Sequence, residues 1–190
     1  QMCIRDRYNT VFEYELDECG MQTARDGLES LRVSAPFVLA MLPNIEEITV
    51  ENTGEKFRYM REGKCGLENA TVSEIEVEQQ GHPCNKYVLG MTDDNVSIYI
   101  ALEHMDGNMK IIPFSENQSK LFCDFPLIGT DDFPFPVLIS SPNFNPTEPR
   151  DGVFLTCKNT VRIDEEIEVN RSIIEKARGL YEHLLEYVAK

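Results

Sequence analysis

The chain has little positive charge and no long run of apolar residues. Its 190 residues include 33 acidic and 18 basic side chains, so the formal net charge is -15 at pH 7. An acidic surface repels phosphate groups, which argues against nucleic acid or an anionic membrane as a partner. No stretch approaches the roughly 18 consecutive apolar residues that a membrane-spanning helix needs. The composition favours a water-soluble globular protein.

Paired cysteine motifs are also missing. The first seven residues, QMCIRDR, match the translation of an adapter used in DNA library preparation. We interpret residues 1–7 as an artefact joined to an incomplete reading frame and exclude them from the fold. The remaining cysteines are odd in number and form no C-x-x-C pair, so reduced thiols in a cytoplasm are the better interpretation. They are Cys19, Cys65, Cys84, Cys123 and Cys157.

The common catalytic motifs are absent as well. There is no phosphate-binding G-x-x-x-x-G-K-[ST] loop, no G-x-G-x-x-G and no G-x-S-x-G. His82 and Cys84 offer two metal ligands where a structural zinc needs four. The pair Asp131-Asp132 could hold magnesium, although a turn that caps the next segment is the simpler interpretation.

Alternating apolar and polar residues predict a β-sheet in the first two thirds of the chain. The segment NTVFEYEL (9–16) predicts a first strand, and Thr53-Gly54 predicts a hairpin turn. Turns at 93–95 and 106–108 separate further strands, which together predict an antiparallel meander. These strands are predicted over 70–79, 85–91, 95–104 and 108–114.

Two helices are predicted to flank the sheet, which makes the fold α+β. Thr23 is expected to cap a short helix over 23–35, which Pro36 ends or restarts. Near the C-terminus, i, i+3, i+4, i+7 spacing predicts a long amphipathic helix with a capping box at Ser172 and Glu175. The side chains expected to pack on the sheet are Ile174, Ala177, Tyr181, Leu184 and Val188.

Six of the ten prolines lie between Pro126 and Arg150. Proline cannot donate to a strand ladder, so only VLIS (137–140) is predicted as a strand there, followed by GVFLTC (152–157). Arg150 follows the stiff loop PNFNPTEP, and a guanidinium on such a loop can clamp a phosphate or a carboxylate. An ion pair to Glu148 or Asp151 is the structural alternative.

The order of these elements resembles the end of the ATP-binding domain in sacsin-like proteins. These proteins belong to the superfamily of gyrase, heat-shock-chaperone, histidine-kinase and MutL (GHKL) ATPases, in which a strand G-T-x-F-x-x-x-L closes the nucleotide domain. Thr10, Phe12 and Leu16 match that pattern, with Asn9 in place of the glycine. The segment FPFPVLISSPNFNPTEPRDGVFL resembles a second family feature, an apolar strand and a proline-rich loop that ends in an arginine.

The resemblance implies that residues 8–44 end a nucleotide-binding domain and that residues 45–190 form the β-rich domain after it. The family's asparagine-bearing magnesium helix and D-x-G-x-G loop do not occur here, so both would lie upstream and this chain alone should not hydrolyse ATP. ATP and magnesium would be cofactors of the intact parent. Thr10 would lie near the adenine, and Arg150 would reach the terminal phosphate.

The implied partners are the upstream nucleotide-binding domain and a client protein. A function of a different class fits the same composition, namely a non-catalytic, acidic, β-rich module that binds a partner protein.

Overall fold

The computed structural model describes residues 12–51, 53–156 and 164–189. Within these ranges the chain forms two helices and one nine-stranded sheet, which is mainly antiparallel. The predicted α+β class is confirmed. The elements are α1 (Glu18–Met41), β1 (Glu47–Val50), β2 (Glu55–Lys64), β3 (Ala70–Gln79), β4 (His82–Asp93), β5 (Val96–Met105), β6 (Asn108–Ile112), β7 (Leu121–Cys123), β8 (Phe125–Pro126), β9 (Leu138–Ser140) and α2 (Asp164–Val188).

The predicted meander is confirmed, because β1 to β6 pair as consecutive antiparallel neighbours. The turns fall where glycine or aspartate permits a left-handed backbone: Gly54 has φ 67°, Asp94 φ 49° and Asp106 φ 52°. Beyond β5 the sheet continues through β9, β7 and β8. The pair β7–β9 is parallel, so the strand pattern after the meander is mixed.

The helices pack on opposite faces of the sheet. Successive side chains of a strand point to opposite faces. Val88 and Tyr99 accordingly pack with Phe37 of α1, whereas their neighbours Leu89 and Ile98 belong to the cluster that contains α2. The sheet is therefore a central layer with one helix on each side. Neither helix of the described residues is long and apolar enough to cross a lipid bilayer.

The first helix is longer than the sequence predicts. Asp17, not Thr23, is its N-cap, and the Asp17 carboxylate accepts a hydrogen bond from the Gly20 amide at 2.7 Å. Thr23 lies inside the helix and donates its hydroxyl to the Cys19 carbonyl. The helix also continues through Pro36, because residues 34–39 are all buried and their packing offsets the lost hydrogen bond.

The strand predicted over 9–16 is wrong for residues 12–16, while residues 9–11 lie outside the described part. Residues 12–16 form no regular element, and their apolar side chains are exposed: Phe12 by 78%, Tyr14 by 79% and Leu16 by 50%. Alternation alone does not make a strand, because a strand also needs a neighbour for its backbone groups. Within the described chain, residues 12–16 have no neighbouring strand.

The second helix begins earlier than predicted. It starts at Asp164, so Ser172 lies in its interior and the predicted capping box is wrong. Ala177 and Leu184 are buried against the sheet as expected, and Ile174 and Tyr181 are partly buried. Val188 is 53% exposed, so its predicted packing is wrong. The buried side chains of this helix include Ile167, Asn170, Ile173, Ala177, Leu180 and Leu184.

The proline-rich region contains β9 within the predicted VLIS segment, but it also contributes Pro126 to the two-residue strand β8. The strand predicted over GVFLTC is wrong for residues 152–156, where Val153 forms only an isolated bridge with Pro146. Cys157 lies outside the described residues. The domain boundary between residues 44 and 45 stays a prediction, and α1, which precedes it, packs on β2, β3 and β4.

Candidate functional site

The loop that ends at Arg150 is fastened to α2 by one buried side chain. Asn170 is fully buried, and its Oδ1 accepts a hydrogen bond from the Asn145 amide at 2.8 Å. Its Nδ2 donates to the carbonyls of Asn145 and Phe154, both at 3.0 Å. One carboxamide thereby satisfies three backbone groups that the irregular loop cannot pair within itself.

A tight turn follows this anchor and presents Arg150. The Thr147 amide donates to the Gly152 carbonyl at 2.9 Å, and the Thr147 carbonyl accepts from the Arg150 amide at 2.5 Å. Arg150 has a left-handed backbone with φ 74°. Its guanidinium Nη2 donates to the Cys123 carbonyl at 3.1 Å.

The predicted alternative role for Arg150 was an ion pair with Glu148 or Asp151. Among the described residues it forms neither pair. The Asp151 carboxylate instead accepts the hydroxyl of Thr147 at 2.6 Å. The Arg150 side chain is exposed, and its one hydrogen bond to a described residue is to a neutral carbonyl, so most of its donors are unused by the described chain.

The other predicted site residues are not brought together. Thr10 lies outside the described residues. Asp131 lines a shallow depression with Asp26 and Glu29, while His82 and Cys84 are exposed at the start of β4. No three His, Cys, Asp or Glu side chains of the described ranges are grouped closely enough to hold a metal ion.

A cleft on the α1 face of the sheet was not anticipated from the sequence. It has a volume of about 220 Å³ and lies between α1, strands β4 and β5, and the segment that follows β6. Its apolar walls include Phe37 and Phe114, whose ring centroids are 5.8 Å apart. The remaining apolar lining comes from Val33, Pro36, Val88, Ala101, Leu102, Ile112 and Pro113.

Gln118 places a buried carboxamide in the lining of this cleft. The residue is only 1% exposed. Its Nε2 donates to the Ser119 carbonyl at 3.0 Å and to the Ser34 hydroxyl at 3.5 Å, whereas its Oε1 has no partner among the described residues. If the carboxamide were rotated by 180°, Oε1 would lie against the Ser119 carbonyl oxygen, and two acceptors would repel each other. The unpaired atom is therefore the acceptor Oε1.

The charges around the cleft are positive. Arg32 and Lys86 line it, and no acidic side chain does. Arg32 is occupied by an ion pair with the buried carboxylate of Glu55. Lys120 lies with its Nζ 4.1 Å from the centroid of the Phe114 ring, and burial lowers the pKa of this ammonium group.

Comparisons with known proteins add no family to this geometry. No protein-family model, no curated protein and no solved structure matches the chain. The functional interpretation therefore depends on the side chains and the cleft themselves.

Proposed function

We propose that this chain is the transducer part of a GHKL-type, chaperone-like ATPase and couples nucleotide state to a conformational change. In this proposal residues 8–44 belong to the edge of the nucleotide-binding domain, and residues 45–190 form the domain that follows it. The parent would bind ATP and magnesium in the cytoplasm through residues upstream of this sequence. Arg150 would reach back towards the terminal phosphate.

The state of Arg150 is the observation that supports the proposal. A cation that stabilises charge developing on a phosphate must be held in place and must not be neutralised beforehand. Arg150 meets both requirements within the described residues: the loop before it is fastened to α2 through Asn170, and its guanidinium has no acidic partner. In a chain of net charge -15, few other basic side chains would compete with Arg150 for the phosphate.

The test replaces Arg150 in the complete parent protein. Arg150→Ala should lower ATP turnover by roughly 10²- to 10³-fold, as removal of one transition-state donor does. Nucleotide affinity should change much less, because the contact strengthens as charge develops. Arg178→Ala is the matched control, since Arg178 is an exposed arginine on α2 that pairs with Glu175. If ATP turnover is unchanged and the stability of the fold falls, the role of Arg150 is only to stabilise the turn in which it lies.

A second candidate function is a non-catalytic module that binds a partner protein. It is favoured by the exposed, alternating side chains of Phe12, Tyr14 and Leu16, which lie on a segment without regular structure. An extended segment with alternating exposed apolar side chains can add as a strand to the sheet edge of another protein.

The upstream reading frame separates the two candidates. An asparagine-bearing helix and a D-x-G-x-G loop upstream would support the ATPase. If both are missing, residues 12–16 become the main binding surface, and Tyr14→Asp should abolish partner binding without changing the midpoint of thermal unfolding.

A further inference from the structure

We propose that residues 12–16 of one copy of this chain add as a strand to β6 of a second copy. The binding role of residues 12–16 is that of the second candidate function, on which this proposal rests. The new elements are the partner, the receiving strand and the register between the two segments. Neither Arg150 nor ATP takes part in the contact.

Strand β6 has a neighbour on only one side among the described residues. It pairs with β5 over residues 108–112, and no other described strand lies beside it. Outside that pair, residues 108–112 form no hydrogen bond to a described backbone group. Residues 108–111 are exposed and Ile112 is half-buried, so the outer edge is open to an added strand. Such an edge presents amides and carbonyls in the spacing that another strand requires.

The side chains of β6 are complementary to those of residues 12–16. Met109 and Ile111 lie on one face of β6 and are 43% and 51% exposed. Lys110 lies on the other face and forms no ion pair with a described residue. Residues 12–16 have phenylalanine, tyrosine or leucine at even positions and glutamate at odd positions. Apolar side chains therefore meet on one face and opposite charges meet on the other.

One antiparallel register satisfies both faces at once. With Glu15 opposite Lys110, the apolar side chains at 14 and 16 lie against those at 111 and 109. The pairing ends at Pro113, whose nitrogen has no hydrogen to donate to a ladder. The contact thus covers four residues on each strand and is short.

The two ends of the sheet, β1 and β8, suit an acidic segment less well. Glu46 and Glu47 lie at the start of β1, so an acidic strand would meet like charges there. Strand β8 consists only of Phe125 and Pro126, which is too short to pair with residues 12–16. A lysine on an edge strand commonly prevents pairing, but against an acidic strand Lys110 attracts.

The partner is a second copy because residues 12–16 cannot lie beside β6 of their own chain. Asp17 caps α1, and Val33 of that helix lines the same cleft as Ile112 at the end of β6. At about 1.5 Å per residue, Asp17 lies about 24 Å along the helix from Val33. Five fully extended residues span at most about 18 Å. The segment is too short to return along α1 and also run alongside β6.

Sedimentation velocity of the full chain at about 10 µM to 1 mM tests the association, for which we expect a Kd on the order of 0.1 mM because the contact is small. The average mass should rise above the 21.7 kDa of one chain. Ile111→Lys should raise the Kd about tenfold or more, because it places a charge in the apolar contact. Met60→Lys is the matched control, since Met60 is 48% exposed on β2, and it should leave the Kd unchanged.

Charge reversal tests the register. Glu15→Lys alone and Lys110→Glu alone should each weaken the association about threefold, because each sets like charges opposite one another. The double variant that carries both substitutions should regain the native Kd. Thermal unfolding midpoints of all variants show that each chain is folded.

The outcomes separate this contact from the second candidate function. A native chain that stays monomeric at about 1 mM overturns the proposal, as does a double variant that associates no better than the single ones. If Tyr14→Asp abolishes association and Ile111→Lys does not, residues 12–16 bind a different surface, so the role of β6 is wrong while the second candidate function stands. If only Ile111→Lys abolishes it, another segment occupies β6 and the role of residues 12–16 is wrong.

Discussion

Two side-chain carboxamides are buried among the described residues, one on each side of the sheet, and they differ in how completely they are paired. Asn170 on α2 uses both of its polar atoms to hold three backbone groups of the Arg150 loop. Gln118 in the α1 cleft uses only its donor, and its Oε1 has no partner among the described residues. An unpaired buried acceptor costs about 1–3 kcal/mol. Asn170 therefore stabilises the fold through both of its polar atoms, whereas the unpaired acceptor of Gln118 offsets part of what its donor contributes.

The strongest test of this comparison removes the paired carboxamide. Asn170→Leu should lower the free energy of unfolding by about 4 kcal/mol, because it leaves one amide and two carbonyls without partners, at about 1–3 kcal/mol each before water compensates. Urea unfolding followed by circular dichroism measures the loss. Asn143→Ala in the same loop is the control and should change stability by less than about 0.5 kcal/mol. Equal effects of both substitutions would show that Asn170 does not anchor the loop.

A substitution on the same helix compares this polar anchor with apolar packing. Leu184 is 2% exposed beneath the sheet, so Leu184→Ala should cost about 3 kcal/mol, within the range of 2–5 kcal/mol for truncated core side chains. The adjacent Leu185 is exposed, and Leu185→Ala should cost less than about 1 kcal/mol. If the two variants unfold at the same urea concentration, α2 is not held by its buried face.

Replacing the incompletely paired carboxamide of Gln118 should change stability far less than replacing Asn170. Gln118→Met removes an acceptor that has no partner and two donor contacts, one of them long at 3.5 Å, so stability should change by less than about 1 kcal/mol in either direction. Thermal unfolding of the two chains measures this difference. A loss above about 2 kcal/mol would mean that Gln118 is a structural residue like Asn170.

The smallest effect is expected for an exposed contact of α2. The Lys176 ammonium lies 2.7 Å from Asp94 and 3.1 Å from Asp93, in the turn between β4 and β5. The hydrogen bond to Lys176 lowers the pKa of Asp94, and the bond to Asp94 raises the pKa of Lys176. Lys176→Met should therefore cause a small loss of stability that disappears at high salt, because solvent and ions screen exposed pairs.

The pH dependence of this pair follows from both pKa directions. The lowered pKa of Asp94 gives stability that is present above the ordinary value of 3.8 and is lost as pH falls from there. The raised pKa of Lys176 gives stability that is present below 10.5 and is lost as pH rises beyond it. Urea midpoints of the native and Lys176→Met chains should differ most at neutral pH. A constant difference down to pH 2 would contradict the ion pair.

The sequence predicted the meander well because its signals are local. Strand β3 is found over its predicted span of 70–79, and turns at Asp94 and Asp106 fall where expected. The failures involve distant partners: residues 12–16 alternate like a strand but pair with no strand of the described chain, and Pro36 is tolerated because the surrounding helix is buried. Periodicity describes one segment and carries no information about what packs against it.

The candidate sites were predicted less completely, for the same reason. Arg150 stood out through the prolines before it, but its contact with Cys123 joins residues far apart in the chain. Asn170 and Gln118 lack any local signal, because one is an ordinary polar residue in a helix and the other an ordinary residue in a loop. Only the folded chain brings Asn170 to Phe154 and Gln118 to Ser34.

The order of strands in the sheet also has a consequence for the time course of folding. The pairs from β1 to β6 join neighbours in the sequence, whereas β9 reaches β5 and β7 only after long intervening segments. Pairings between distant segments form more slowly, because loop closure must precede any stabilising contact. We expect the meander to assemble in an early kinetic phase and β7, β8, β9 and α2 to dock in a later one. The Arg150 loop, fastened through Asn170, would then be among the last parts of the chain to become ordered.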